Sequence, residues 1–284
     1  MTVIAPPSRP PALSPSRASD FLQCPLLFRL RTVDRVPEPA SSAATRGTLV
    51  HSVLERLFDA PAGERTPALA QELLPAEWAK LQEADPRVKE LFAPGGDAES
   101  EGVDNWLDAA SRLVSTYFTL EDPNRLQPAE RELLLETQLP DGPLLRGIVD
   151  RLDVKPDDGA IRVVDYKTGR SPNPRYEGKV LFQLRFYGLV LWRERGTIPK
   201  MLQLVYLGDG QILRAEPTAE QLEGAERKIR WVWSEIEKAA RTETWEPRPS
   251  KLCDWCSHRA LCPAFDGTPP PIPEGAVEIR LGIS

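Results

Sequence analysis

Apolar and polar positions divide the chain into stretches of different period. Up to about residue 128 the spacing is helical. Ser14-Pro15 reads as an N-cap followed by proline at the first helical position, opening a helix that carries Phe21, Leu22, Leu26 and Leu27. A proline-containing linker, Pro37 to Ser42, leads to a second helix over about Ser42 to Phe58. Its stripe is Val50, Val53, Leu54, Leu57 and Phe58, at three- and four-residue intervals. Residues 59–128 read as a mixed helical insertion or lid outside the core, broken at Pro67, Pro75, Pro86 and the Pro94-Gly95-Gly96 turn.

From about residue 131 the period changes to two. Strands are expected at Leu133–Leu139, Leu144–Val154 and Ile161–Lys167, separated by turns at Asp141-Gly142 and Pro156–Gly159. A helix over about Arg175 to Arg195 follows. Next come a hairpin, Met201–Leu207 with Gln211–Ala215, and a long helix from Thr218 to about Arg241. The ends are expected to be irregular: residues 1–12 as a disordered proline-rich tail, and 267–284 as a second tail after a cysteine block at 245–266.

Composition narrows the class. The chain has 284 residues, enough for a substantial core. Its 29 prolines are numerous, but 18 glycines without a period of three exclude collagen. No apolar run approaches the ~18 residues of a membrane span, and the N-terminus lacks the apolar segment of a secretory signal. A cytoplasmic protein with no membrane partner is therefore expected. The net charge of -6 argues at first against nucleic acid. The charge is unevenly placed, however. Residues 59–141 carry seven basic and eighteen acidic side chains, whereas 9–56, 162–195 and 227–263 are each net basic. The acid excess is either a solvated helical face or the counterpart of three basic segments that converge on a polyanion.

The sharpest chemistry lies in the second expected hairpin. Opposed residues keep a constant index sum. A four-residue loop at 156–159 sets Asp150 across from Asp165, and a two-residue loop sets it across from Lys167. In either register Asp150, Asp165 and Lys167 share a face, with cross-strand Cβ atoms ~5 Å apart. Two carboxylates that close repel unless a cation joins them, and a hard divalent ion suits oxygen ligands. Both acids end apolar runs, Gly147-Ile148-Val149 and Val163-Val164, which argues against a plain surface pair. His51 flanks the stripe of the second helix, with Gly47 one turn earlier. It is either a core histidine satisfied by Glu55 or a ligand, if that helix packs on the carboxylate face.

Four cysteines form a one-plus-three set: Cys24, then Cys253, Cys256 and Cys262 as C-x2-C-x5-C. Without a secretion signal disulfides are not expected. Four thiolates complete a ligand set for an iron–sulfur cluster or for zinc. His258 in place of Cys24 would also make a zinc site.

Taken in order, these motifs resemble the RecB-type nuclease domain of the PD-(D/E)XK superfamily in its iron–sulfur branch. That branch includes the AddB nuclease domain and the CRISPR-associated iron–sulfur exonucleases. The matching segments are LSPSRASDFLQCP with Cys24, RGTLVH with His51, RGIVDR with Asp150, VDYKTG with Asp165 and Lys167, QLRFYG with Gln183 and Tyr187, and CDWCSHRALCP with the three late cysteines. The usual proline before the first acid is missing, and 59–128 matches no motif.

The resemblance implies an α+β fold with a restriction-endonuclease-like α/β-type core: a central mixed sheet with flanking helices, forming one domain over 13–266 that Cys24 closes. It implies Mg²⁺ or Mn²⁺ held by His51, Asp150, Asp165 and the Tyr166 main chain, with Lys167 as a further catalytic residue, and a [4Fe-4S] cluster on Cys24, Cys253, Cys256 and Cys262. Gln183 and Tyr187, i and i+4 on one helix, would touch DNA or brace the site. Arg146, Arg151 and Arg170 are candidates for phosphate contact, and Glu136 for a second metal. The activity implied is a metal-dependent DNA nuclease, an exonuclease on single-stranded ends in repair or recombination. The alternative is a non-catalytic iron–sulfur scaffold of a helicase–nuclease complex. The chain has no G-x4-G-K-[ST] loop, so any motor would belong to a helicase partner.

Overall fold

In the computed structural model, residues 9–173 and 177–283 are described. The helices are α1 (Pro15–Gln23), α2 (Pro25–Phe28), α3 (Ser42–Leu57), α4 (Pro67–Ala84), α5 (Val103–Leu120), α6 (Glu177–Arg195), α7 (Ala219–Arg241) and α8 (Ala276–Leu281). A π-helical turn, Arg29–Asp34, follows α2. The strands are β1 (Pro128–Gln138), β2 (Leu144–Val154), β3 (Ile161–Lys167), β4 (Met201–Tyr206) and β5 (Gln211–Ala215). Residues 175 and 176, expected to begin α6, lie outside the described residues.

Local chemistry sets the helix starts. Ser14 Oγ accepts the Arg17 N–H at 3.2 Å, and Thr218 forms a reciprocal capping box with Gln221 at the head of α7. Pro75 does not break α4. A mid-helix proline is costly, but Ala70, Leu74 and Trp78 on either side of it are buried in a shared core.

The five strands run in the order β1-β2-β3-β4-β5. All neighbours are antiparallel except β3 and β4, which α6 connects as a parallel crossover. Each face of the sheet has its own core. On one, α1, α6 and α7 bury Leu152, Val163, Leu202 and Leu204. On the other, α3, α4 and α5 bury Val164, Tyr166 and Val205. The helices within 59–128 are thus a layer of the core. This corrects the expectation of an insertion outside it.

Two more sequence expectations change. Residues 267–284 are not wholly irregular, because α8 forms and Ala276, Leu281 and Ile283 are buried against the first core. At the other end Ala12 and Leu13 are buried, and Leu13 bridges β2 through Leu13 N–H to Leu144 O (2.8 Å) and Arg146 N–H to Leu13 O (3.0 Å). The remainder of the expected N-terminal tail, residues 1–8, lies outside the described residues.

Arg151 is also corrected. It was expected to contact phosphate, but only 1% of its side chain is exposed. Its guanidinium donates to both Glu121 carboxylate oxygens (2.8 and 3.0 Å) and to the Tyr166 hydroxyl (2.5 Å), with Asp153 3.1 Å away. Burial opposes its charge, but Tyr166 and the acids around it hold its pKa well above the ordinary arginine value. Glu121 is drawn below the ordinary carboxylate range: burial pushes it up, and Arg151 outweighs that. Removing one partner of a buried pair leaves an uncompensated charge. Glu121→Ala is therefore expected to cost about 3–5 kcal/mol, measured as a fall in the urea midpoint. A midpoint like that of the wild type would remove this pair as a support of the sheet.

Candidate active site

The site sits where β2 and β3 part. Their ladder pairs Arg151 with Val164 and Leu152 with Val163, an index sum of 315, which is the register of the four-residue loop. The ladder stops there. One step further, Asp150 uses its side chain: Oδ2 accepts the Tyr166 N–H at 2.6 Å. A carboxylate stands where a strand carbonyl would continue the sheet, and Asp150, Glu132 and His51 line the opening of the fork.

Helix α3 closes the gap from the second core. Val50, Val53, Leu54 and Leu57 anchor it there, and His51 on the flank reaches the fork. His51 Nε2 donates to the Tyr166 carbonyl at 3.1 Å, and Nδ1 lies 3.4 Å from Asp150 Oδ1. Burial works against a charged ring, but the Asp150 carboxylate overrides it and raises the His51 pKa. A Cβ on Gly47 would stand 3.5 Å from Thr168 Oγ1, so this end of α3 lies close against the segment after β3. The condition for reading His51 as more than a core histidine is met.

Asp165 is 3% exposed. Lys167 Nζ approaches its Oδ2 at 2.6 Å, and Gln183 Nε2 on α6 donates to its Oδ1 at 3.2 Å. Burial first, then repulsion from Asp150, lift Asp165 to about 6 despite Lys167. Gln183 also donates to the Tyr187 hydroxyl at 3.2 Å. The Tyr187 ring seals the floor. A Cβ on Gly147 would stand 2.6 Å from Tyr187 Cε1, so glycine is what lets the ring lie against β2. Gln183 and Tyr187 thus brace the acids, and burial raises the Tyr187 pKa above its ordinary value.

Glu132 on β1 joins the fork. One ligand atom each from His51, Glu132 and Asp150 lie within 4.8 Å of one another, the only such His/Cys/Asp/Glu trio among the described residues. Burial, then the charge of Asp150, raise Glu132 to about 7. Its φ of 44° is left-handed, unusual within a strand. The sequence did not single it out: the Asp141-Gly142 turn gives an index sum of 283, which sets Glu132 across from Arg151, whereas the β1–β2 ladder has a sum of 282, to which 132 and 150 add. Glu136, expected as a distant metal candidate, instead pairs with Arg146 directly across the ladder. Arg170 is exposed just beyond β3.

His51, Glu132 and Asp150 offer oxygen and nitrogen donors for a hard divalent cation, with the Tyr166 carbonyl on His51 beside them. Asp165, expected as a ligand, is not part of that trio and is held instead by Lys167 and Gln183. Crowding of acids with raised pKa values is the mark of a site that a cation would relieve.

Without a cation the folded protein holds protons on Glu132 and Asp165 at pH values where the unfolded chain, with carboxylates near ~4, has lost them. Its stability should therefore fall as pH rises from about 5 to about 8. The raised His51 pKa acts in the same direction, its contribution being lost as pH rises through the folded value. Glu132→Gln should flatten this slope, followed by calorimetric melting in a chelator. Equal slopes in the two proteins would take Glu132 out of the charge balance.

The comparisons with known proteins agree with this geometry. A family model for the PD-(D/E)XK nuclease superfamily matches residues 12–263. Gene 69 protein of Mycobacterium phage L5 is 25% identical over 291 residues, covering 90% of this chain and 97% of that protein. Its counterpart of the same name from Mycobacterium phage D29 is 23% identical over 275 residues, with the same coverage. In fold the chain is similar to the crystal structure of a "Putative exonuclease" from Eubacterium rectale, with a TM-score of 0.56, 17% identity and 87% of each chain covered. The family match takes in His51, both acids, Lys167 and all four cysteines over most of the sequence, and the chain belongs to the PD-(D/E)XK nuclease superfamily.

Proposed function

We propose that this nuclease is a Mg²⁺- or Mn²⁺-dependent DNA exonuclease of the RecB type, acting on single-stranded ends in repair or recombination. The observation that carries the reading is the fork, where His51, Glu132 and Asp150 converge around the Tyr166 backbone, next to the Asp165–Lys167 pair. A divalent cation on these donors would supply positive charge to offset the charge that develops on a phosphodiester under attack. The chain's own residues do the rest. Lys167, held by Asp165, presents an ammonium to a phosphate oxygen or the attacking water. Gln183 and Tyr187 fix the Asp165 rotamer. The Arg151 network fixes Tyr166, whose backbone serves the site from both its N–H and its carbonyl. Among the described residues no helix is long and apolar enough to cross a membrane. A helicase partner would supply unwinding.

The four cysteines support an iron–sulfur cluster as the second cofactor. Cys24, Cys253, Cys256 and Cys262 line one hollow between α1–α2 and the C-terminal block. Two backbone N–H groups point at sulfur, Arg248 to Cys24 Sγ (3.4 Å) and Ser250 to Cys253 Sγ (3.3 Å), as suits thiolate ligands of a cluster. His258, the alternative zinc ligand, places Nε2 2.8 Å from Glu38 Oε1, so it is engaged outside the cysteine set.

Lys167→Ala or Asp165→Asn should lower Mn²⁺-dependent degradation of end-labelled single-stranded DNA by at least ~100-fold, with the circular dichroism of the wild type. Retained cleavage in either variant would overturn the catalytic assignment. DNA binding without cleavage by the wild type would instead favour a scaffold. Protein purified without oxygen should contain iron and sulfide and absorb near ~400 nm, whereas zinc without iron would overturn the cluster reading.

A further inference from the structure

A second charged centre lies at the far end of β2, outside the fork. Arg9 from the N-terminal segment, Arg17 from α1, Arg35 after the π-helical turn, Arg146 from β2 and Arg280 from α8 line one open hollow. Among the described residues, the only carboxylate in ion-pair reach of any of them is Glu136, on Arg146. Arginine stays charged in proteins, so the repulsion cannot be relieved by losing a proton. Arg17 feels it directly: burial, then Arg35, Arg146 and Arg280, push its pKa below the ordinary value. Two guanidinium nitrogens, Arg146 Nη2 and Arg280 Nε, are shut off from solvent and make no hydrogen bond. Buried donors without a partner are costly. Arg35 adds backbone strain, with φ at 52° in a non-glycine residue. A fold that gathers five arginines from five separate segments, and leaves buried donors unmet, is built for an anion. The planar guanidinium fork matches phosphate in particular.

The hollow has a direct line to the fork. Arg146, Ile148 and Asp150 alternate along β2 with the buried Leu145, Gly147 and Val149. Four residues of strand put Arg146 about 13 Å from Asp150. Between them Ile148 is 49% exposed, opposite the half-buried Leu134. The surface therefore reads cation site, apolar shelf, arginine hollow, a sequence that suits a strand with phosphate, sugar and base, and phosphate again. We propose that the arginine hollow binds a backbone phosphate of the same DNA strand that is cut at the fork, a few nucleotides from the scissile bond. This rests on the nuclease reading for the identity of the polyanion.

The test is the binding of a fluorescent single strand of about 20 nucleotides to full-length Asp165→Asn protein, by anisotropy across a salt series. Each phosphate contact contributes about 0.7 to the slope of log K against log salt for single strands. Arg17→Ala/Arg280→Ala should lose at least ~10-fold in affinity at low salt, with a slope lower by about 1.4. Arg17→Lys/Arg280→Lys should recover most of that slope. Arg35→Glu, a change on an exposed side chain, should also weaken binding and keeps the test alive if the double alanine variant does not fold. Unchanged affinity and slope in the folded variants would overturn the proposal. So would protection of the wild type from melting by inorganic phosphate alone, with strand binding unaffected by the substitutions, since the hollow would then serve a free anion. Cleavage by the wild type with no binding defect in the arginine variants would refute the hollow and spare the nuclease. A binding defect in a protein that never cuts would do the reverse.

Discussion

The hydrogen bond from the Tyr166 N–H to the Asp150 carboxylate is the contact on which the rest of the site depends. It ends the β2–β3 ladder one step past Arg151–Val164 and turns a continuous sheet into a fork. Backbone groups freed from a ladder must find other partners. Here the N–H of Tyr166 goes to an acid and its carbonyl to His51. One residue thereby ties two strands and a helix to a single point. The same residue is held from below, where its hydroxyl meets Arg151 and, through it, Glu121. The candidate cation site is thus braced by a buried ion pair on the opposite face of the strand.

This arrangement changes the meaning of the acidic segment. With seven basic and eighteen acidic side chains, residues 59–141 are net -11 against -6 for the whole protein. Glu72, Glu83, Asp104 and Asp108 ride on the solvent side of α4 and α5. Two others serve the site: Glu121 neutralises Arg151, and Glu132 enters the fork. The helical layer is therefore part of the machinery that shapes the site, although it carries none of the family motifs. The basic charge is gathered elsewhere, at the arginine hollow and around the cysteine block. Both draw on residues 9–35, so the N-terminal segment links the sheet, the cysteine hollow and the C-terminal helix.

The sequence determined by itself whatever backbone period and index arithmetic control. Side chains two apart on a strand share a face, so Asp165 and Lys167 were expected to point together. The turn at 156–159 left two registers for Asp150, and the β2–β3 ladder takes the one with index sum 315. The helical period put His51 beside the stripe that packs inward. The cysteine spacing suggests a common site, and all four residues line one hollow. The Asp141-Gly142 loop alone gives a sum of 283 and sets Glu132 across from Arg151; only the observed register, 282, brings it to Asp150.

Tertiary structure decided what depends on the path of the chain through space. Arg151 sits beside Asp150 in sequence, but β2 carries it into the second core, where Glu121 from the end of α5 and Asp153 neutralise it. Pro75 and the last eighteen residues read locally as breaks, yet burial of Ala70, Leu74 and Trp78 in one case, and of Ala276 and Leu281 in the other, outweighs local preference. The arginine hollow has no local signature at all. Its members come from both ends of the chain and from the middle, and only the packing of α1, β2 and α8 brings like charges together against their repulsion.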